Sequence, residues 1–146
     1  MESTFSHLGI CVTDLTRSLR FYCDALGFER GASHTIGSDF AALMDLPDVS
    51  LTSQFIRKGT TTIELLSFDE PASFGDGVRR PLHQLGLTHL SFRVRDLAAT
   101  AARVVELGGL LVETSRTSMD LGNGSAEFVY CTDPDGVRNE LMHLGG

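Results

Sequence analysis

The stretch from His7 to Leu15 returns from His89 to Leu97, with His, Leu, Val, Asp and Leu recurring at a constant offset of 82 positions. Such a repeat constrains the fold more than composition does, because it calls for two copies of one module with the same elements in the same order. It also yields two histidines at equivalent places. Imidazole is the commonest protein ligand for metals, so a symmetric pair of histidines on facing strands is a natural start for a metal site.

Each copy opens alike. Phe5 to Val12 has strand character and runs into Asp14, an N-cap for a helix with an apolar stripe of Leu15, Leu19, Tyr22 and Leu26 that Gly27 ends. The second copy predicts a strand over Leu87 to Val94, an N-cap at Asp96, a stripe of Leu97, Ala101 and Val104, and a stop at Gly108-Gly109. Thr60 to Phe68 closes the first half as a β-type segment, while Ala126 to Cys131 and Val137 to Leu144 close the second. Asp133-Pro134-Asp135-Gly136 reads as a tight turn between the last two strands. The expected fold class is therefore α+β, with modules at 1–68 and 87–146 that each run strand, helix, then about three strands. Residues 69–86, with two prolines and three glycines, form a linker placed to cover a site. Segments 31–60 and 69–86 read as loops without a motif, which are the natural source of pocket lining.

The 146 residues fit one domain, and 42% hydrophobic content builds a core without disulfides or a structural metal. A net charge of -7 and a pI near 5.1 argue against nucleic acid or an anionic membrane as partner, since both reward clustered Lys and Arg. A small-molecule partner is expected. No basic start precedes an apolar run, and no stretch approaches the roughly 20 apolar residues that span a bilayer, so a cytoplasmic location is expected. Cys11, Cys23 and Cys131 show no CxxC spacing and are read as reduced, mostly buried thiols.

Two carboxylates join the histidines. Glu64 in Thr61-Thr62-Ile63-Glu64-Leu65-Leu66 and Glu140 in Val137-Arg138-Asn139-Glu140-Leu141-Met142 lie among apolar neighbours, 76 positions apart, close to the histidine offset. A charge buried there is costly unless paired, and a cation is a sufficient partner. His7, Glu64, His89 and Glu140 make a mixed nitrogen and oxygen set suited to one divalent ion: zinc, nickel, cobalt, manganese or iron. Taken singly, a strand histidine is usually a hydrogen-bonded core or surface residue and a strand glutamate usually faces solvent. On the residues alone both readings stay open. His34 and His83 fall in expected loops, His83 within reach of a substrate, and His143, three after Glu140, falls on the opposite strand face. None of these three is expected to ligate. Arg79 and Arg80, in the linker, are read as exposed loop charges with an anionic ligand as the alternative.

The segments HLGICVTDLTRSLRFYCDALGFE (7–29), TIELL (62–66), LTHLSFRVRDL (87–97) and DPDGVRNELM (133–142) together resemble the vicinal oxygen chelate superfamily. That superfamily takes in glyoxalase I, methylmalonyl-CoA epimerase, extradiol dioxygenases and bleomycin-type resistance proteins. The resemblance implies two βαβββ modules whose curved, mixed sheets form a cup with flanking helices, and a metal held by His7, Glu64, His89 and Glu140. It implies a homodimer too, with the site made within one chain or shared between two.

The resemblance points most directly to a divalent-metal-dependent lyase or isomerase, like glyoxalase I or the epimerase, which abstracts a proton beside a metal-bound carbonyl by way of an enediolate. Glu140, then Glu64, are the candidate catalytic carboxylates. The alternatives are an iron(II) extradiol dioxygenase, in which Glu64 is surplus to a two-His, one-Glu triad, and a resistance protein that sequesters its ligand without chemistry. Glyoxalase I carries an Arg four residues after its first His and an Asn four after its first Glu, both used on glutathione. Cys11 and Phe68 stand at those places here, which puts glutathione use in doubt. Arg93, four after the second His and on the face of His89 and Ser91, is the candidate substrate-binding residue.

Overall fold

A computed structural model describes residues 2–145. It contains two four-stranded sheets, built by the two halves of the chain in the same way. The first half runs through Gly75 and the second from Asp76 onward, the latter also taking in Asp24–Leu26.

In the first half, β1 (Leu8–Val12) leads to α1 (Leu15–Leu19), which widens into π-helical turns over Arg20–Ala25. Asp14 caps α1 as its sequence position predicts, with its carboxylate accepting from Arg17 N at 2.9 Å. Gly27, at φ 75°, ends the helical run. Then come β2 (Glu29–Ile36), β3 (Ser50–Lys58) and β4 (Thr61–Glu70), in the sheet order β1-β4-β3-β2. β1 and β4 run parallel and the other neighbours antiparallel. One face of the sheet, with Ile10, Val12, Ile56, Ile63 and Leu65, is buried with Phe21 and Tyr22 of the helical segment. The other face carries His7 and Glu64.

The connection between β2 and β3 adds a second apolar cluster. Ala41, Val49 and Leu51 form its centre, and Ile36, Met44, Leu46, Leu66 and Phe68 pack against it. Leu66 lies two residues from Glu64 on β4, so the cluster lies on the Glu64 face of the sheet.

The second half repeats the plan with β5 (Leu90–Arg93), α2 (Leu97–Glu106), β6 (Leu110–Asp120), β7 (Ser125–Thr132) and β8 (Arg138–Gly145), in the order β5-β8-β7-β6. Asp96 caps α2 by accepting from Ala99 N at 2.8 Å. The α2 residues Leu97, Ala101 and Val104 are buried with Val129, Cys131 and Leu141 of the sheet. At Asp133-Pro134-Asp135-Gly136 the Asp133 carboxylate accepts from the amides of Asp135 and Val137, closing the expected turn. Gly136 sits at φ 91° against the backbone of Gly77, where a Cβ has no room. Beside it, Arg138 Nη2 donates to the Arg80 carbonyl at 2.7 Å, and Arg80 Nη2 donates to the Leu85 carbonyl at 3.0 Å. Arg80 thus holds the loop in place.

Four local expectations change. β1 begins at Leu8 and β5 at Leu90, so both histidines stand one residue ahead of their strands. Residues 31–60, read as loop, contain most of β2 and all of β3. His34 accordingly lies on a strand. Cys11 is exposed and Cys23 half-buried, whereas Cys131 is buried, because Cys11 shares the exposed face of β1 with Gly9. Among the described residues no helix is long and apolar enough to cross a membrane.

Two measurements check this packing. Asp96→Ala is expected to cost about 1 kcal/mol, a fall in Tm of roughly 2–4 °C for a domain of this size. Burial, with the Asp133 charge adding to it, pushes the Cys131 thiol up to about 12, so almost no thiolate exists there at pH 8. Iodoacetamide at that pH is expected to modify Cys11 and leave Cys131 intact until the protein is unfolded; labelling of Cys131 in the native protein would contradict this placement.

Candidate metal centre

The parallel pairing at the edge of each sheet assembles the site. Gly9 on β1 registers with Glu64 on β4, and Ser91 on β5 registers with Glu140 on β8. Since alternate residues share a face, His7 falls on the side of Glu64 and His89 on the side of Glu140. The distances follow: His7 Nε2 lies 3.2 Å from Glu64 Oε2, and His89 Nε2 lies 3.8 Å from Glu140 Oε2. Both carboxylates are only 19% exposed.

Each imidazole is fixed from behind. The hydroxyl of the preceding residue bonds its Nδ1, Ser6 Oγ at 2.9 Å for His7 and Thr88 Oγ1 at 3.0 Å for His89. With Nδ1 engaged, Nε2 is the nitrogen left to face the carboxylate, which is how metal-binding histidines are generally oriented. An aromatic ring stands edge-on to each: Phe55 at 5.4 Å from His7 and Tyr130 at 5.3 Å from His89, centroid to centroid. Phe55 registers with Glu64 and Tyr130 with Glu140, so the two rings are structural equivalents.

Phe55 lies opposite a bulge in the outer strand of its sheet and Tyr130 flanks one in the other, where an extra length of chain re-aims the side chains. In the first half Gln54 Nε2 ties that bulge down by donating to the Gly31 and Ala32 carbonyls at 3.0 and 3.2 Å. In the second half Ser115 Oγ donates to the Val112 carbonyl at 2.6 Å and accepts from Tyr130 N at 2.8 Å. A cavity of about 310 Å³ opens beside it, lined by Ser115, Thr117, Phe128, Val129, Tyr130 and Glu140. The Arg138 guanidinium lies 5.0 Å from the Tyr130 ring centre. Burial and the Glu140 charge push the Tyr130 phenol above its ordinary range against the pull of Arg138, so it is protonated at neutral pH and able to donate a hydrogen bond.

The four predicted ligands therefore come together as two His–Glu pairs, one in each half. Among the described residues no three His, Cys, Asp or Glu side chains cluster closely enough to hold an ion. The donor set nonetheless fits a divalent metal: two imidazoles with their outer nitrogens engaged and two largely buried carboxylates, a chemistry matching borderline ions. Arg93 lies on the exposed face of β5 with Ser91. His143 turns away, its Nδ1 3.1 Å from the Val94 carbonyl, as expected from its strand face. His34 stands edge-on to Phe55, with ring centroids 6.1 Å apart.

Sequence reading missed Ser6, Thr88, Phe55 and Tyr130. A signal was present for the first two, since a hydroxyl residue precedes the histidine in both copies.

Comparison with known proteins agrees with this architecture. The chain is 33% identical over 138 residues to the uncharacterized protein YaeR of Escherichia coli (strain K12), covering 92% of each. It is 27% identical over 140 residues to a probable lactoylglutathione lyase of Synechocystis, covering 93% of this chain and 92% of the relative. It is 26% identical over 147 residues to an ethylmalonyl-CoA/methylmalonyl-CoA epimerase of Cereibacter sphaeroides, covering 99% and 100%. A glyoxalase family protein from Bacillus cereus superposes with a TM-score of 0.83 at 20% identity, covering 97% of this chain and 94% of that one. Residues 4–141 match the family as a whole, and the chain belongs to the Glyoxalase/Bleomycin resistance protein/Dioxygenase superfamily.

Proposed function

We propose that the protein is a divalent-metal-dependent lyase or isomerase that moves a proton at the carbon beside a carbonyl of a small substrate. The observation that carries this reading is the twofold His–Glu pair, His7 with Glu64 and His89 with Glu140, each imidazole oriented by a hydroxyl on its Nδ1. The four side chains would hold one ion, drawn from zinc, nickel, cobalt, manganese and iron, with the two pairs supplied by one chain or by the two chains of a homodimer. When bound, the ion would act as a Lewis acid toward the substrate carbonyl oxygen.

The chain's own groups do the rest. Glu140 lines the cavity and is the first choice to take the proton from carbon and return it; Glu64 is the second. Tyr130 offers a phenol donor at the cavity wall, Phe128 an apolar surface, and Arg93 a cation for an acidic portion of the substrate. Phe68 is absorbed in the apolar cluster of the first half, which leaves no amide at the place where glyoxalase I meets glutathione. That supports a substrate other than a glutathione adduct.

Isotope exchange tests this across substrate classes. Protein stripped with a chelator and reloaded with one divalent ion at a time is incubated in D₂O with hemithioacetals and 2-alkylmalonyl thioesters, and deuterium entry beside the carbonyl is followed by NMR. Exchange is expected only in the metal-loaded protein, and Glu140→Gln is expected to keep the fold while losing about 100-fold or more of the exchange rate. Full exchange in metal-free protein would sink the proposal, and oxygen uptake with a catechol and iron(II) would reassign the chain to the dioxygenases. In parallel, His7→Ala and His89→Ala are each expected to weaken metal binding by more than the about 10- to 100-fold that loss of an outer-sphere partner costs. Unchanged affinity in either variant would remove that residue from the centre.

A further inference from the structure

The two carboxylates are not held alike. Glu64 presents Oε2 to His7 at 3.2 Å, and its serine bond is on the other oxygen, Oε1, from Ser53 Oγ at 2.5 Å. Glu140 presents Oε2 to His89 at 3.8 Å, and Ser91 Oγ donates to that same oxygen at 2.6 Å. In one half the serine leaves the oxygen nearest the imidazole to the histidine, and in the other a hydroxyl occupies it.

The cause lies at two positions of the repeat, Gly9 against Ser91 and Ser53 against Phe128. Ser91 on β5 registers with Glu140, and the residue that registers with Glu64 is Gly9 on β1. Gly9 has no side chain to offer, so Glu64 takes its hydroxyl from β3 instead. Ser53 is 2% exposed, whereas Ser91 faces solvent, so the first carboxylate is held from a buried strand and the second from an open edge.

We infer that Ser91 is a positioning residue that restrains the imidazole-facing oxygen of Glu140, and that the Gly9/Ser91 and Ser53/Phe128 differences make Glu64 the firmer and Glu140 the weaker metal ligand of the proposed centre. The inference rests on the metal-centre reading above and goes beyond it by assigning unequal roles to its two halves. An outer hydroxyl on the far oxygen, as at Glu64, aligns a carboxylate and supports ligation. A hydroxyl on the near oxygen competes for the lone pairs a metal needs, and a charge-assisted bond of that kind is among the stronger hydrogen bonds a protein makes.

The positions can be exchanged. A Cβ at Gly9 meets nothing closer than Leu66 Cδ1 at 3.7 Å, so Gly9→Ser fits and brings the second-half arrangement into the first. Cobalt(II) alone is the probe, titrated into the apo form of the whole chain, with affinity read from its visible d–d absorption and folding checked by circular dichroism. Ser91→Ala is expected to bind cobalt(II) several-fold more tightly than the parent, and Ser91→Thr, which keeps the hydroxyl, to match the parent. Gly9→Ser and Ser53→Ala are each expected to bind about tenfold more weakly. The Ser91→Ala spectrum should change in band position or intensity, a change that loss of stability alone does not produce.

Ser91→Ala binding more weakly, or both Ser91→Ala and Gly9→Ser binding as the parent does, would overturn the assignment while leaving the metal centre intact. No saturable cobalt(II) binding by the parent chain would overturn both. If Ser53→Ala fails to fold, the opposite responses of Ser91→Ala and Gly9→Ser decide the matter on their own.

Discussion

The parallel pairing of the first and last strands in each half is the constraint on which the rest of the structure depends. Among the described residues, β1 against β4 and β5 against β8 are the parallel neighbours of their sheets, and each fixes a histidine beside a glutamate. A slip of one residue in the register of β4 or β8 would send its glutamate to the helix-covered face, setting a charge where Leu65 or Leu141 now packs and leaving the imidazole without its partner. Packing and site geometry are therefore specified together. The same alternation that buries Leu65 and Leu141 presents Glu64 and Glu140.

The module repeats, but the two halves have diverged in what surrounds the pairs. The first half covers part of its Glu64 face with the cluster around Ala41, Val49 and Leu51, carried by a long β2–β3 connection. The second half replaces that connection with a tight turn over Leu121–Gly124, leaving room for the cavity bounded by Tyr130 and Glu140. Ring equivalents differ in the same sense, with Phe55 apolar and Tyr130 carrying a hydroxyl. Duplication supplies the symmetric donors, and divergence supplies an asymmetric place for a ligand.

Much of this is legible in the chain itself. The repeat, the Asp14 and Asp96 caps and the strand places of Glu64 and Glu140 rest on local patterns of short period and appear where the sequence puts them, with His7 and His89 one residue ahead of their strands. β2 and β3 do not, because their residues are chosen for the site face and the bulge rather than for a core. Arg30, Ser33, His34 and Thr35 on an exposed outer strand, and Ser53 and Gln54 buried by tertiary contacts, break the alternation that marks a strand. Tyr130 was hidden for a similar reason. Its place beside Glu140 is set by an antiparallel register and a serine-held bulge, and neither leaves a mark in the spacing of residues. The exposure of Cys11 likewise depends on which face of β1 meets the helix.

We propose that the two His–Glu pairs, built by duplicate halves, hold one metal ion. Anomalous scattering from crystals grown with a single divalent ion tests it most directly. One strong peak is expected, with His7 Nε2, His89 Nε2, and oxygens of Glu64 and Glu140 within about 2.0–2.2 Å, contributed by one chain or by two. Clear density for the four side chains with no ion among them, or an ion bound elsewhere on the protein, would contradict it.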